Sequence, residues 1–98
     1  MKTGYIYCLT HKDTPNIIDY VGSTFTLLRR SSQHKYNCKT GKESHRPLYE
    51  HIRENGGWGS YYMEILDEDT FSDATELQER ERNYILGINP LYNNYLKL

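Results

Sequence analysis

Residues 17–36 run Ile17-Ile18-Asp19-Tyr20-Val21-Gly22-Ser23-Thr24-Phe25-Thr26-Leu27-Leu28-Arg29-Arg30-Ser31-Ser32-Gln33-His34-Lys35-Tyr36. The apolar run Ile17–Val21 predicts a strand. Gly22 then permits a tight backbone turn. Thr26 is a suitable N-cap, and Leu27–Tyr36 reads as a helix. Arg30 and His34 lie one helical turn apart, so they point the same way. A phenol, a guanidinium and an imidazole thus gather at one strand-to-helix junction. That mix suits a phosphodiester: a fixed cation for the phosphate and groups that handle protons.

Working outward, Tyr5-Ile6-Tyr7-Cys8-Leu9 is rich in strand formers. Its period of two puts Tyr5 and Tyr7 on one face, Ile6 and Cys8 on the other. Thr14-Pro15-Asn16 marks a turn, so the first two strands should form an antiparallel hairpin with Tyr7 beside Tyr20. Thr40–Ser44 reads as loop. Pro47 opens a second helix whose apolar side is Leu48, Tyr49 and Ile52, and Asn55-Gly56-Gly57 stops it. Tyr61–Leu66 predicts a third strand with Met63 and Ile65 on one face, ended by Asp67-Glu68-Asp69. The last helix should begin near Ser72-Asp73, where Asp73 and Glu76 resemble a capping box. It should run to about Leu86 and end at Gly87, with Pro90 beyond.

Inside that last helix lies the anomaly of the chain. Its apolar positions are Ala74, Leu77, Tyr84, Ile85 and Ile88. Glu81 falls four residues after Leu77 and four before Ile85, along the inward stripe, whereas Glu76 and Glu79 point away. A carboxylate there costs several kcal/mol, on the order of 3–5, unless it is paired or binds a metal. Pairing with Arg30, or reaching out to solvent, is the structural alternative.

At 98 residues the expectation is one domain spanning 1–98, with no linker, repeat or low-complexity segment. Hydrophobic residues make up 37% of the chain and the mean hydropathy is −0.84, so the core must be small. Ten tyrosines against two phenylalanines and one tryptophan make tyrosine the main core aromatic, each hydroxyl needing a partner. Any one tyrosine is therefore structural until other evidence promotes it. No apolar run spans a membrane, and Met1–Tyr5 lacks a secretory signal. Cys8 and Cys38 fit no metal-ligand spacing, which implies a reduced, intracellular compartment, cytoplasm or nucleus.

Net charge is −1, with a pI near 6.4, and the average hides a split. From Leu27 to Arg53 there are seven basic residues against Glu43 and Glu50; from Glu64 to Arg82 there are eight acids against Arg80 and Arg82. One half can face a polyanion while the other faces water, or both are solvated faces of opposite sign.

These residues together resemble the GIY-YIG nuclease family, found among homing endonucleases, restriction enzymes and DNA-repair incision subunits. The first signature is Gly4-Tyr5-Ile6-Tyr7, in which Tyr7 aligns with the family's first tyrosine. The second is Tyr20-Val21-Gly22. The family's arginine matches Arg30, a frequent histidine His34, a glutamate before an aromatic-Ile pair Glu81, and a late asparagine Asn93. Each short motif is weak alone, but six in order across nearly the whole chain are specific together. The resemblance implies a three-stranded antiparallel sheet flanked by helices. That agrees with the α+β order β-β-α-α-β-α read from the residues.

The resemblance implies a metal-dependent DNA endonuclease leaving 5′-phosphate and 3′-hydroxyl ends, with Tyr7, Tyr20, Arg30, His34, Glu81 and Asn93 catalytic. Glu81 alone would bind one Mg²⁺ or Mn²⁺, with water and phosphate oxygens completing the shell. Arg30 would fork onto the phosphate; its alternative partner is Glu81. One tyrosine would act as base and the other orient water or phosphate, Tyr7 being the preferred base. An unperturbed phenol titrates near pH 10, so a cation must lower it. His34 would relay a proton or touch a phosphate, and Asn93 would brace the site. Arg29, Lys35, Lys39, Lys42 and Arg46 are candidates to track duplex or branched DNA, or serve solubility alone. The weak net charge implies low intrinsic specificity, with targeting left to a partner or to self-association. A mobile element, phage or virus would be a fitting source. Other readings are a non-catalytic nucleic-acid-binding module and a protein-interaction domain using the acidic face.

Overall fold

The computed structural model describes residues 1–39 and 46–93. Their order is β1 (Lys2–His11), β2 (Tyr20–Thr24), α1 (Leu27–Lys39), α2 (Pro47–Glu54), a 3₁₀ turn (Trp58–Ser60), β3 (Tyr61–Phe71) and α3 (Ala74–Ile88). The sheet is antiparallel in the order β2-β1-β3. The order β-β-α-α-β-α and the hairpin stand as expected.

Strand β1 lies at the centre, so its two faces alternate into two cores. Ile6 and Cys8 join Val21, Phe71, Leu77 and Ile85 under α3. Tyr7 and Leu9 join Cys38, Leu48, Tyr49, Ile52 and Tyr61 under α1 and α2. A bulge opposite the Ile6–Tyr7 step resets the pairing with β3. Tyr7 faces Gly22 directly across the β1–β2 pair, and Leu9 faces Tyr20.

Several local signals act as read. Pro47 sits at the start of α2, and Leu48, Tyr49 and Ile52 are buried. The Asp73 side chain accepts the Glu76 N–H at 2.9 Å, capping α3. The Arg30 N–H donates to the Thr26 carbonyl at 3.0 Å, which makes Thr26 the flanking residue of α1.

Four boundaries differ, each for a tertiary reason. Strand β2 starts at Tyr20, not Ile17, and continues through Gly22 to Thr24; Gly22 is thus a paired strand residue, not a turn. Helix α1 extends past Tyr36 to Lys39 because Cys38 completes a core cluster. Strand β3 runs on through Asp67-Glu68-Asp69 to Phe71, paired with Lys2–Ile6. Arg80 supports this acidic edge, donating to Asp67 at 2.8 Å and Asp69 at 3.1 Å. Ile65 is half-exposed, so it does not share the packing of partly buried Met63 against the core. Helix α3 passes through Gly87 to Ile88, and Asn89 takes the left-handed φ of 56° that ends it. The expected loop Thr40–Ser44 lies outside the described residues.

After α3 the chain returns along β2, an otherwise open edge. The Leu91 N–H donates to the Ile18 carbonyl at 3.4 Å, and the Tyr92 N–H to the Asp19 carbonyl at 2.8 Å. The Asn93 amide then takes the Val21 N–H at 2.9 Å and gives to the Val21 carbonyl at 2.8 Å. A side-chain amide thus supplies the two bonds a neighbouring strand would make, and the edge is covered. No helix among the described residues is long and apolar enough to cross a membrane.

Candidate active site

Tyr7, buried at mid-sheet, directs its ring across Gly22 toward α1. There the Tyr7 hydroxyl accepts the Arg30 Nε–H at 3.2 Å and meets His34 Nε2 at 2.7 Å. His34 Nδ1 meets the Tyr49 hydroxyl at 2.9 Å, which also accepts from the Asn37 amide at 3.3 Å. A neutral imidazole has one donor and one acceptor. One of the two hydroxyls, Tyr7 or Tyr49, therefore donates to the ring and the other accepts from it. Tyr20 lies beside this chain, its ring 6.3 Å from that of Tyr7 and 5.8 Å from that of His34.

The close approach at Gly22 is steric. A Cβ added there would overlap the Tyr7 hydroxyl, come within 2.5 Å of ring carbon Cζ, and crowd Tyr20 Cε2 at 2.9 Å. Glycine is the residue that lets the phenol cross the strand. Gly22→Ala is therefore expected to lower unfolding stability by about 1–3 kcal/mol, as overpacking does. Urea denaturation of the variant and parent checks this.

Burial governs the protonation states. It pushes the Tyr7 hydroxyl far up, Tyr20 adding to this and Arg30 only partly opposing it. Tyr20 is likewise raised by burial, against the pull of Arg30 and with a further push from Glu81. His34 falls to about 3, through burial first and then the Arg30 and Arg46 charges. At neutral pH both phenols keep their protons and the imidazole is uncharged. The sequence-level expectation that Arg30 lowers a phenol's pKa is thus met in sign, but desolvation outweighs it.

Glu81 reaches the same place from α3. Its carboxylate accepts the Ser23 hydroxyl at 2.5 Å, is partly buried, and lies near enough for its charge to raise both phenols. The inward-stripe reading of this residue holds. Arg30 donates to Tyr7 and to Gln33 Oε1, the latter at 2.8 Å, and is also hydrogen-bonded to Tyr20. Beside Glu81 the donors are oxygen, and no cluster of three or more His, Cys, Asp or Glu forms a cage among the described residues. A hard cation that keeps several waters fits such a set.

A polar cleft of about 260 Å³ opens along this edge, lined by Ser23, Thr24, Thr26, Arg29, Arg30 and Gln33. Tyr7, Tyr20, Arg30, His34 and Glu81 therefore come together, while Asn93 stands behind β2 as a brace. His34 is 1% exposed, so it cannot touch a phosphate as placed; of the two expected roles only proton handling remains. Arg29 reaches the cleft, Lys39 lines a separate cavity, Lys35 is exposed, and Arg46 acts on His34 through its charge. Lys42 lies outside the described residues.

Sequence reasoning missed Ser23 and Tyr49. Ser23 had a usable signal, since it follows Gly22 and so takes the opposite face of a continuing strand. Tyr49 had none, because its contact with His34 spans 15 residues of sequence and two helices.

No curated protein matches the chain, and no solved structure matches it. A family model described as the GIY-YIG catalytic domain matches residues 3–95. With nearly the whole chain aligned, and the tyrosine of each signature meeting across one strand pair in the fold, this chain belongs to the GIY-YIG family of nucleases.

Proposed function

We propose that the protein is a metal-dependent DNA endonuclease that hydrolyses a phosphodiester to 5′-phosphate and 3′-hydroxyl ends. The observation that carries this reading is the convergence of Glu81 and Arg30 on one pair of phenols, beside a cationic cleft that Arg30 lines. Arg29 and Arg30 grip the phosphate there, and Arg30 stays charged throughout. Asn93 fixes β2 so that Tyr20, Gly22 and Ser23 keep their positions.

The base assignment shifts from Tyr7. Tyr7 is fully enclosed, at 0% exposure, whereas Tyr20 is partly exposed. Tyr20 is the phenol that meets the attacking water. Tyr7 holds Arg30 by accepting its Nε–H, and neutral His34 is hydrogen-bonded to the Tyr7 hydroxyl behind it. A Mg²⁺ or Mn²⁺ ion held at Glu81 would reverse the carboxylate's upward push on both phenols and neutralise charge on the leaving 3′ oxygen.

The test is cleavage of a panel of duplex, nicked, branched and single-stranded DNA with Mg²⁺, with Mn²⁺ and without metal. Tyr20→Phe is expected to lower the rate by about 10²–10⁴-fold, the range of general acid–base help, with DNA affinity kept. DNA binding with no cleavage in any divalent metal would support a non-catalytic module instead.

A further inference from the structure

The chain has one tryptophan, Trp58, set in the 3₁₀ turn that leads into β3. Its indole stacks on the His34 ring, centroids 5.6 Å apart at 23°. The residue is only partly buried. The indole also lines an open cavity of about 420 Å³, with Cys38, Lys39, Arg53, Gly56 and Gly57.

Three features of this cavity point one way. Its rim carries two cations, Lys39 and Arg53, both exposed. Burial raises the Cys38 thiol and keeps it neutral, so no negative charge lies at that wall. The backbone at Gly56 and Gly57 turns through φ of 100° and 82°; Gly56 packs against Ser60, whereas a Cβ at Gly57 would meet nothing, so the rim is open at Gly57. An aromatic surface, flanking cations and an uncrowded rim together suit a flat heteroaromatic ring joined to a phosphate chain.

Position adds to this. Helix α1 connects the two sites: Arg30 lines the polar cleft and Cys38 the cavity. Eight residues of helix separate them by roughly 12 Å, a distance that a short stretch of single strand spans. Resting on the nuclease reading above, we propose that the Trp58 cavity takes an unpaired nucleobase of the strand gripped at the Arg30 cleft. The preferred substrate is then DNA with an extrahelical or single-stranded nucleotide, not unbroken duplex.

Trp58 is its own probe, because no other tryptophan contributes to the emission. The full chain in EDTA is titrated with three labelled oligonucleotides: a perfect duplex, the same duplex with a one-base bulge, and the single strand. Binding is followed by anisotropy and Trp58 by its fluorescence. We expect strong quenching with bulged and single-stranded DNA and little with duplex. Trp58→Leu is expected to weaken bulge binding by about 10-fold while duplex affinity holds; Trp58→Phe, which keeps a ring against His34, should restore most of it. Equal quenching by all bound DNAs, no quenching by any, equal weakening of all by Trp58→Leu, or no DNA binding at low salt would each overturn the proposal. Cleavage in Mn²⁺ is scored separately. Cleavage without quenching retires the base site alone, and quenching without cleavage retires the nuclease reading alone.

Discussion

Glu81→Gln is expected to lower DNA cleavage by about 10³-fold in either Mg²⁺ or Mn²⁺, since losing the metal proposed at Glu81 would remove several kcal/mol of transition-state stabilisation. The side chain keeps its size and an acceptor oxygen for the Ser23 hydroxyl, so the thermal midpoint should barely change. A second readout separates charge from shape. Glu81 raises both Tyr7 and Tyr20, so removing its charge should move both phenols' titrations down. Ultraviolet titration of single Tyr→Phe variants would resolve this. Arg30→Ala should abolish cleavage equally but shift the phenols up, because its charge pulls them down. Full cleavage by both variants would end the mechanism proposed.

The opposite signs of those shifts follow from the opposite charges; that both charges reach the same phenols follows from one arrangement. Arg30 arrives from α1 on one side of β2, and Glu81 from α3 on the other. β2 is the edge of the sheet, so side chains from helices on opposite faces meet only beyond it. That explains why the tail must seal β2. An open edge would leave the outward N–H and carbonyl of Val21 without partners, and Asn93 supplies both bonds.

Much of this was legible in the residues because the deciding signals were local. Pro47, Asp73 with Glu76, and the alternation Ile6/Tyr7/Cys8 act within a few residues. Glu81 stood out because a carboxylate broke an otherwise apolar helical stripe. The failures came where distant partners overrode local preference. Ile17 and Ile18 are stronger strand formers than Ser23 and Thr24, yet β1 pairs with Tyr20–Thr24. Asp67-Glu68-Asp69 reads as a strand end, but β1 extends to Lys2 and Arg80 neutralises two of the acids. Edge position and cross-strand neighbours decide strand propensity. Enclosure is a related case: no spacing rule reveals that Tyr7 has no exposed surface.

Acid should unfold this protein through His34. In the unfolded chain its imidazole titrates near 6.5, and in the fold near 3. The depressed value arises first from burial, then from Arg30 and Arg46. Between those two pH values the unfolded chain binds a proton that the folded chain does not. Stability is therefore full above about pH 6.5 and declines as the pH falls, by up to about 1.4 kcal/mol per pH unit. The whole window is worth on the order of 5 kcal/mol, comparable to the total stability of many small domains. His34→Gln removes the titration while offering an amide to Tyr7 and Tyr49. Its stability at neutral pH should be lower, since the stack on Trp58 is lost, but its slope against pH should flatten between 6 and 4. Urea midpoints measured at each pH decide the matter. A parallel decline in parent and variant would assign acid sensitivity to the carboxylates, and would mean that His34 can be charged inside the fold despite its burial and the nearby Arg30 and Arg46 charges.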